Sequence, residues 1–310
     1  MPDGQNIKPG LSYVVPAYNE ENGIVATLER LKAALATLDV PYEIILVDDG
    51  SRDATRQRAK SVDGITVVGH PINTGYGSAI KTGILCAQYE WIGIVDADGT
   101  YPIERVGELV DKMKQGFDVA VAARENVLDT DKPFKRMARQ MLLGFINTWV
   151  SGKIVDPNSG FRIFSREFAM TFFPFLCDTF SFTTSSTIFA IGEGYFVCYV
   201  PMEYTKRVGK SKVRHVRDSM RMAQLILQGI TFFNPVKFFL MLVLGMVACV
   251  DLPALALAEM GAKTFAFYYA LGGTMSVLLF GLGVLGDITR VATTTRINKK
   301  HSIVREARGG

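Results

Sequence analysis

Ile92-Gly93-Ile94-Val95-Asp96-Ala97-Asp98-Gly99-Thr100-Tyr101-Pro102 opens as a short apolar run of β type and ends on two carboxylates two residues apart, followed by turn residues. Residues i and i+2 of an extended segment point the same way, so Asp96 and Asp98 are expected to face one point at the carboxyl end of a strand. Two like charges that close repel unless a cation or a shared proton lies between them. One reading is an Asp-x-Asp site that holds a divalent cation on oxygen ligands, with the cation in turn holding a diphosphate. The other is a capped turn with solvated carboxylates, since the spacing alone is common. The flanking sequence bears on the choice.

Leu11 to Val15 is an apolar strand that runs into Pro16-Ala17-Tyr18-Asn19-Glu20-Glu21, and a helical pattern follows from Ile24 to Leu38. Tyr42 to Val47 reads as a second strand ending on Asp48-Asp49-Gly50-Ser51, with Ser51 or Asp53 available to cap a helix. Ile65 to Val68 is a third, after which Asn73-Thr74-Gly75-Tyr76-Gly77-Ser78 opens a helix carrying Lys81 and Gly83. The quoted stretch is the fourth strand, and Asp118 to Ala122 a fifth that ends near Arg124. Strands alternating with helices predict an α/β fold with an open, Rossmann-like, mostly parallel sheet, which binds ligands at the carboxyl ends of its strands. The Tyr18 to Glu20 loop, Asp48, Asp49, Asp96, Asp98 and Arg124 all collect at those ends.

Gly75-Tyr76-Gly77 lacks the third glycine of the dinucleotide fingerprint and follows the third strand, where that fingerprint follows the first. No Gly-x-x-x-x-Gly-Lys-Ser/Thr loop occurs. Both facts argue against NAD or ATP binding by those modes.

Val15-Pro16-Ala17-Tyr18-Asn19-Glu20, Val47-Asp48-Asp49-Gly50-Ser51, Asn73-Thr74-Gly75-Tyr76-Gly77, Asp96-Ala97-Asp98 and Asp156-Pro157-Asn158-Ser159-Gly160-Phe161-Arg162 occur in this order. Together they resemble the family 2 glycosyltransferases, specifically the polyprenyl-phosphate group that includes dolichol-phosphate mannose synthase, over roughly residues 10 to 215. The resemblance implies a GT-A type fold and an inverting transfer from a nucleotide-sugar to a polyprenyl phosphate, with a UDP-sugar favoured over a GDP-sugar as donor. It implies that Pro16, Tyr18, Glu20, Asp49, Lys81 and Asp96 bind the nucleotide, and that Asp96 and Asp98 hold Mg2+ or Mn2+ with the diphosphate. Asp98, Asp156 and Arg124 become catalytic candidates. Arg124 and Arg136 are candidates for the acceptor phosphate, and Arg207 and Lys210, in the basic run Arg207 to Arg214, for the departing diphosphate. Some members carry a glutamine two residues after the second aspartate; here that position is Thr100, so a hydroxyl or a water would have to replace the amide oxygen.

The 48% apolar content is concentrated near the C-terminus, where Val236 to Ala258 and Phe265 to Leu285 are each long enough to cross a bilayer. Asp251 falls inside the first span and is expected near the outer interface or against a partner helix. Glu259 to Thr264 is a short connector, and Arg290, Arg296, Lys299, Lys300, Arg305 and Arg308 follow the second span. That asymmetry places the C-terminus in the cytoplasm. The N-terminus lacks the basic and apolar regions of a secretory signal, so the first domain is expected in the cytoplasm too. Phe134 to Val150 reads either as an amphipathic helix lying near the bilayer or as an ordinary core helix with a solvated face. The expected organisation is a catalytic domain over residues 1–212, a juxtamembrane amphipathic helix over 213–233, a two-helix transmembrane hairpin over 234–289 and a basic tail over 290–310. The hairpin is a candidate contact for a homo-oligomer at the inner membrane.

Four scattered cysteines suggest reduced thiols and no zinc site, and the net charge of +4 is too modest to point to nucleic acid. Two other functions remain. A processive polysaccharide synthase would carry Gln-x-x-Arg-Trp, yet neither Trp91 nor Trp149 follows an arginine. A catalytically inactive nucleotide-binding membrane scaffold would share the same motifs.

Overall fold

A computed structural model describes residues 7–125, 153–204, 234–261 and 264–294, together with positions 136, 137, 140, 143, 144, 147 and 231. These residues fall into two units, one before and one after residue 225.

The first unit is built on a seven-stranded sheet in the order β3-β2-β1-β4-β6-β5-β7. Strand β1 (Lys8–Ala17) is buried continuously from Gly10 onward, as a central parallel strand covered on both faces must be. It pairs in parallel with β2 (Tyr42–Asp48) and β4 (Tyr89–Ile94), and β2 pairs with β3 (Ile65–Gly69). Tyr13 and Val15 project to one face and pack with Leu28, Leu31 and Leu35 of α1 (Ile24–Ala36) and with Val106 and Leu109 of α4 (Val106–Lys114). Val14, with Ile45 of β2, projects to the other face. There it meets Ile80 and Ile84 of α3 (Tyr76–Cys86), Phe168 of α5 (Arg166–Thr171), and Phe182 of α6 (Phe182–Gly192). The alternation along β1 thus divides the core into two layers. A short helix α2 (Thr55–Ala59) links β2 to β3.

The structure adds two strands that the pattern of residues did not reveal. β6 (Arg162–Ser165) runs antiparallel between β4 and β5 (Val119–Arg124), and β7 (Val197–Met202) lies parallel to β5 at the edge. β6 has four residues and opens on an arginine, and β7 contains Pro201, so neither carries a strong strand signal. Several boundaries also differ, two of them with consequences for the site. Arg124 is the last residue of β5 and does not follow it, and β4 stops at Ile94, so Asp96 and Asp98 lie in a turn beyond the strand. Their arrangement is therefore set by turn geometry, with Gly99 at φ +68°, and not by strand alternation.

The second unit contains two helical stretches, Pro235–Glu259 and Thr264–Thr289, both long and apolar enough to cross a membrane. The first comprises α7 (Pro235–Met246), a π-helical turn (Val247–Asp251) and α8 (Leu252–Glu259); the second lies in α9 (Thr264–Thr294). Asn234 caps α7 by accepting from the Lys237 amide at 3.2 Å. The helices leave Leu244 59% and Val277 72% exposed, the reverse of a water-soluble surface. Asp251 is buried against α9. Ser276 Oγ lies 3.4 Å from Asp251 Oδ2, and Gly272 supplies the space for Oδ1, because a β-carbon there would overlap it. Of its two expected settings, the one against a partner helix is found. The segment 213–233 and the tail beyond residue 294 lie outside the described residues, Thr231 apart.

Candidate active site

Pro16 is buried within β1, level with Val47, so the chain emerges at Tyr18 beside the end of β2. The Tyr18 to Glu20 loop is fastened there by its backbone. Asn19 adopts φ +51° and donates its amide to Ser51 Oγ at 2.9 Å, while its side chain accepts from the Arg52 amide at 2.9 Å. The Glu20 amide donates to Thr55 Oγ1 at 2.8 Å. These bonds keep Tyr18 and Glu20, both half-buried, at the rim of the sheet.

Asp49 holds the neighbouring loop. Its Oδ1 accepts from the Thr74 amide and hydroxyl, each at 2.8 Å, and Oδ2 accepts from the Gly75 amide at 2.9 Å. His70 Nδ1 lies 2.8 Å from the same Oδ1, and its Nε2 is 2.9 Å from Thr82 Oγ1. The carboxylate predicted to meet a nucleoside is thus also the anchor of the Asn73 to Gly75 turn.

The glycines of Gly75-Tyr76-Gly77 have a packing reason. A β-carbon on Gly75 would overlap the carbonyl of Asp178, and one on Gly77 that of Cys177. The Ser78 amide at the start of α3 already donates to Asp178 O at 3.0 Å, so this helix end is engaged by protein. Lys81, predicted for the nucleotide, pairs with Asp178 at 2.7 Å and lies over the Phe173 ring. The structure joins it to the 173–178 segment.

Asp96 and Asp98 are both half-buried. Tyr76 donates its hydroxyl to Asp96 Oδ1 at 2.7 Å, and Thr100 Oγ1 donates to Asp98 Oδ1 at 2.7 Å. Thr100 therefore orients the second carboxylate through its hydroxyl. Burial, reinforced by the Asp96 charge, raises the Tyr76 and Tyr101 phenols well above their ordinary range, so both stay neutral beside the acid. Among the described residues no three His, Cys, Asp or Glu side chains cluster to hold an ion. The protein's share would be two carboxylates, a donor set that fits Mg2+ or Mn2+, which keep waters and complete their shells with phosphate oxygens.

The second charged pair lies across the sheet. Arg124 Nε donates to Asp156 Oδ2 at 2.7 Å and its Nη2 to Oδ1 at 2.8 Å, a bidentate ion pair with both side chains largely buried. The guanidinium also lies over the Tyr204 ring, 5.3 Å from its centroid. Burial by itself raises the Asp156 carboxyl, but the hydrogen bonds and charge of Arg124, with Arg162 behind them, outweigh it and hold the carboxyl below its ordinary range.

The loop from Asp156 to Gly160 joins the two charged sites. Gly160 rests on Asp96 so closely that a β-carbon would overlap the carboxylate, and the Gly160 amide donates to Tyr101 Oη at 2.8 Å. Arg162, quoted in the motif but given no role by sequence reasoning, is fully buried and donates to the Pro157 and Ser159 carbonyls of this loop. The apolar Phe161, Ile163 and Phe164 on either side of it were the only local sign. Arg136 is a half-buried helical residue, and Arg207 and Lys210 lie outside the described residues.

A sequence profile described as Glycosyl transferase family 2 matches residues 12–173. The dolichyl-phosphate beta-glucosyltransferase of Dictyostelium discoideum is 30% identical over 70% of this chain and 73% of its own. The undecaprenyl-phosphate 4-deoxy-4-formamido-L-arabinose transferase of Klebsiella pneumoniae is 28% identical over 96% of this chain and 94% of its own. Among solved structures, the glucosyl-3-phosphoglycerate synthase of Mycobacterium tuberculosis with Mn2+, UDP and phosphoglyceric acid aligns at a TM-score of 0.59. It is 20% identical, over 72% of this chain and 78% of that one, so it attests to the fold. The chain belongs to glycosyl transferase family 2, and its sheet is of the GT-A type. It is a glycosyltransferase.

Proposed function

We propose that this enzyme moves a sugar from a nucleoside diphosphate sugar, UDP-linked in preference to GDP-linked, to a polyprenyl phosphate at the cytoplasmic face of the membrane, with inversion at the anomeric carbon. The observation that carries the reading is the contact of Gly160 with Asp96, which brings a diphosphate-type acidic site and the Arg124–Asp156 pair onto one loop. The two relatives named above are polyprenyl-phosphate sugar transferases by name, and the apolar second unit suits an enzyme whose acceptor is a lipid.

In this reading the Tyr18 to Glu20 loop and Asp49 receive the nucleoside, and Asp96 and Asp98 would hold Mg2+ or Mn2+. The ion would supply charge stabilisation for the departing diphosphate. A phosphate oxygen of the acceptor attacks the anomeric carbon, the carbon–oxygen bond to the diphosphate breaks, and the nucleoside diphosphate leaves with the electron pair. A single displacement of this kind inverts the carbon. The acceptor phosphate has a second pKa of about 6 and is mostly ionised at neutral pH, so it needs little help losing a proton. Asp156, held ionised by Arg124, orients the arginine through its Nε and Nη2, which leaves Nη1 as the candidate donor to a phosphate oxygen. Arg136 is the second candidate for that phosphate, with Arg207 and Lys210 for the leaving diphosphate. Both termini would face the cytoplasm, and the hairpin could join copies of the chain.

The test is a panel of UDP-, GDP- and dTDP-sugars, radiolabelled in the sugar, with a short prenyl phosphate and Mg2+ or Mn2+. Label entering the lipid phase with one donor is the expected result. Nucleotide binding with no labelled lipid from any donor would favour an inactive nucleotide-binding scaffold, and label in polymer a processive synthase.

A further inference from the structure

Arg162 heads the fully buried side chains by volume, and among the described residues it has no carboxylate within ion-pair distance. A buried cation with no directly bonded counter-ion is unfavourable, the charge of Asp156 beyond ion-pair distance offsets only part of that, and an apolar side chain would fill the space at less cost. What the charge does instead is donate in two directions. Nε and Nη2 donate to Ser159 O at 2.9 and 2.6 Å, and Nη2 also to Pro157 O at 3.1 Å. Nη1 reaches Thr183 O at 3.0 Å, Ser186 Oγ at 3.1 Å and Thr187 Oγ1 at 2.9 Å, all in the first turns of α6. Thr184 of the same helix end donates to Asn158 Oδ1, in the loop itself.

We propose that Arg162 is a positioning residue for sugar transfer: by tying the Pro157 and Ser159 carbonyls to α6, it fixes the loop that carries Asp156 at one end and Gly160, against Asp96, at the other. The inference rests on the reading of Asp96 and Asp156 as the donor and acceptor sides of the site. The planar fork matters more than the charge, because the three N–H groups of a lysine ammonium radiate from one atom and cannot span both acceptor sets that Nε, Nη1 and Nη2 reach from separate positions. A shift of about 1 Å in a reacting geometry can reduce the rate about 100-fold.

The experiment uses the full chain in lipid bilayers, with UDP and GDP affinities by calorimetry and with kcat and KM for donor and prenyl phosphate. Arg162→Lys is expected to bind metal-free UDP within about twofold of wild type, because the Tyr18 to Glu20 loop and Asp49 are held by other bonds, while kcat falls about 100-fold. Thr187→Val, which removes one acceptor from the α6 side, should lower kcat by less, and should add nothing in an Asp156→Asn background, because its effect runs through the same loop. Wild-type kcat in Arg162→Lys would overturn the proposal. So would a Thr187→Val loss of equal size with and without Asp156. Should Arg162→Lys fail to melt cooperatively, the Thr187 and Asp156 cycle decides alone. A wild-type chain that labels no prenyl phosphate would sink the functional reading, and this inference with it.

Discussion

Gly160 lies directly on the carboxylate of Asp96, in a space that no larger residue could share. Gly160→Ala is therefore expected to displace either the acid or the loop. Overpacking of this kind destabilises by about 1–3 kcal/mol, and the displacement should weaken Mn2+-dependent donor binding and lower kcat. Calorimetric titration of donor with and without Mn2+ checks it; an unchanged metal response would mean that the contact is slack.

Donor binding should lose its response to Mg2+ or Mn2+ in Asp98→Asn more fully than in Asp96→Asn. Thr100 orients Asp98 by a short hydroxyl bond, and family resemblance places this residue nearer the diphosphate. Removing one carboxylate from a pair weakens the cation and leaves the diphosphate facing the other acid. Unaltered metal-dependent affinity in Asp98→Asn would refute the assignment.

Asp156 should not titrate in the working pH range. Its folded pKa is depressed, so the stability it contributes is present above the ordinary carboxylate value of about 4 and is lost as pH falls through the lower folded value. Across pH 6 to 9 the carboxylate stays ionised, and Asp156→Asn should lose activity by a uniform factor. The acid limb of both profiles then belongs to the acceptor phosphate, with its pKa near ~6. A loss that recovers once the acceptor is fully ionised would make Asp156 a general base.

A chain ending near residue 233 should retain nucleotide affinity, since each candidate nucleotide residue lies in the first unit. Turnover on a long-chain prenyl phosphate in vesicles should fall, because the apolar helices are what bring the enzyme to the lipid. The measurement pairs calorimetry with a vesicle assay. A truncated protein that folds but binds no nucleotide would contradict the separation of roles.

The sequence by itself determined the α/β class, the first five strands in order, the gathering of polar loops at the strand ends and the two apolar spans. Each of these is written in local periodicity and turn chemistry, so a short window suffices. Tertiary structure alone decided what the charged residues touch. Lys81, which the resemblance implies for the nucleotide, pairs with Asp178, 97 positions along, and no local pattern announces that partner. Gly75 and Gly77 fall short of a dinucleotide fingerprint, and only the fold shows what they are for: the carbonyls of Asp178 and Cys177 need the room. β6 enters the sheet antiparallel between β4 and β5, which carries Arg162 inward and lays Gly160 on Asp96. Such contacts join segments far apart in the chain, and local patterns specify which face of an element is buried but not which distant residue will cover it.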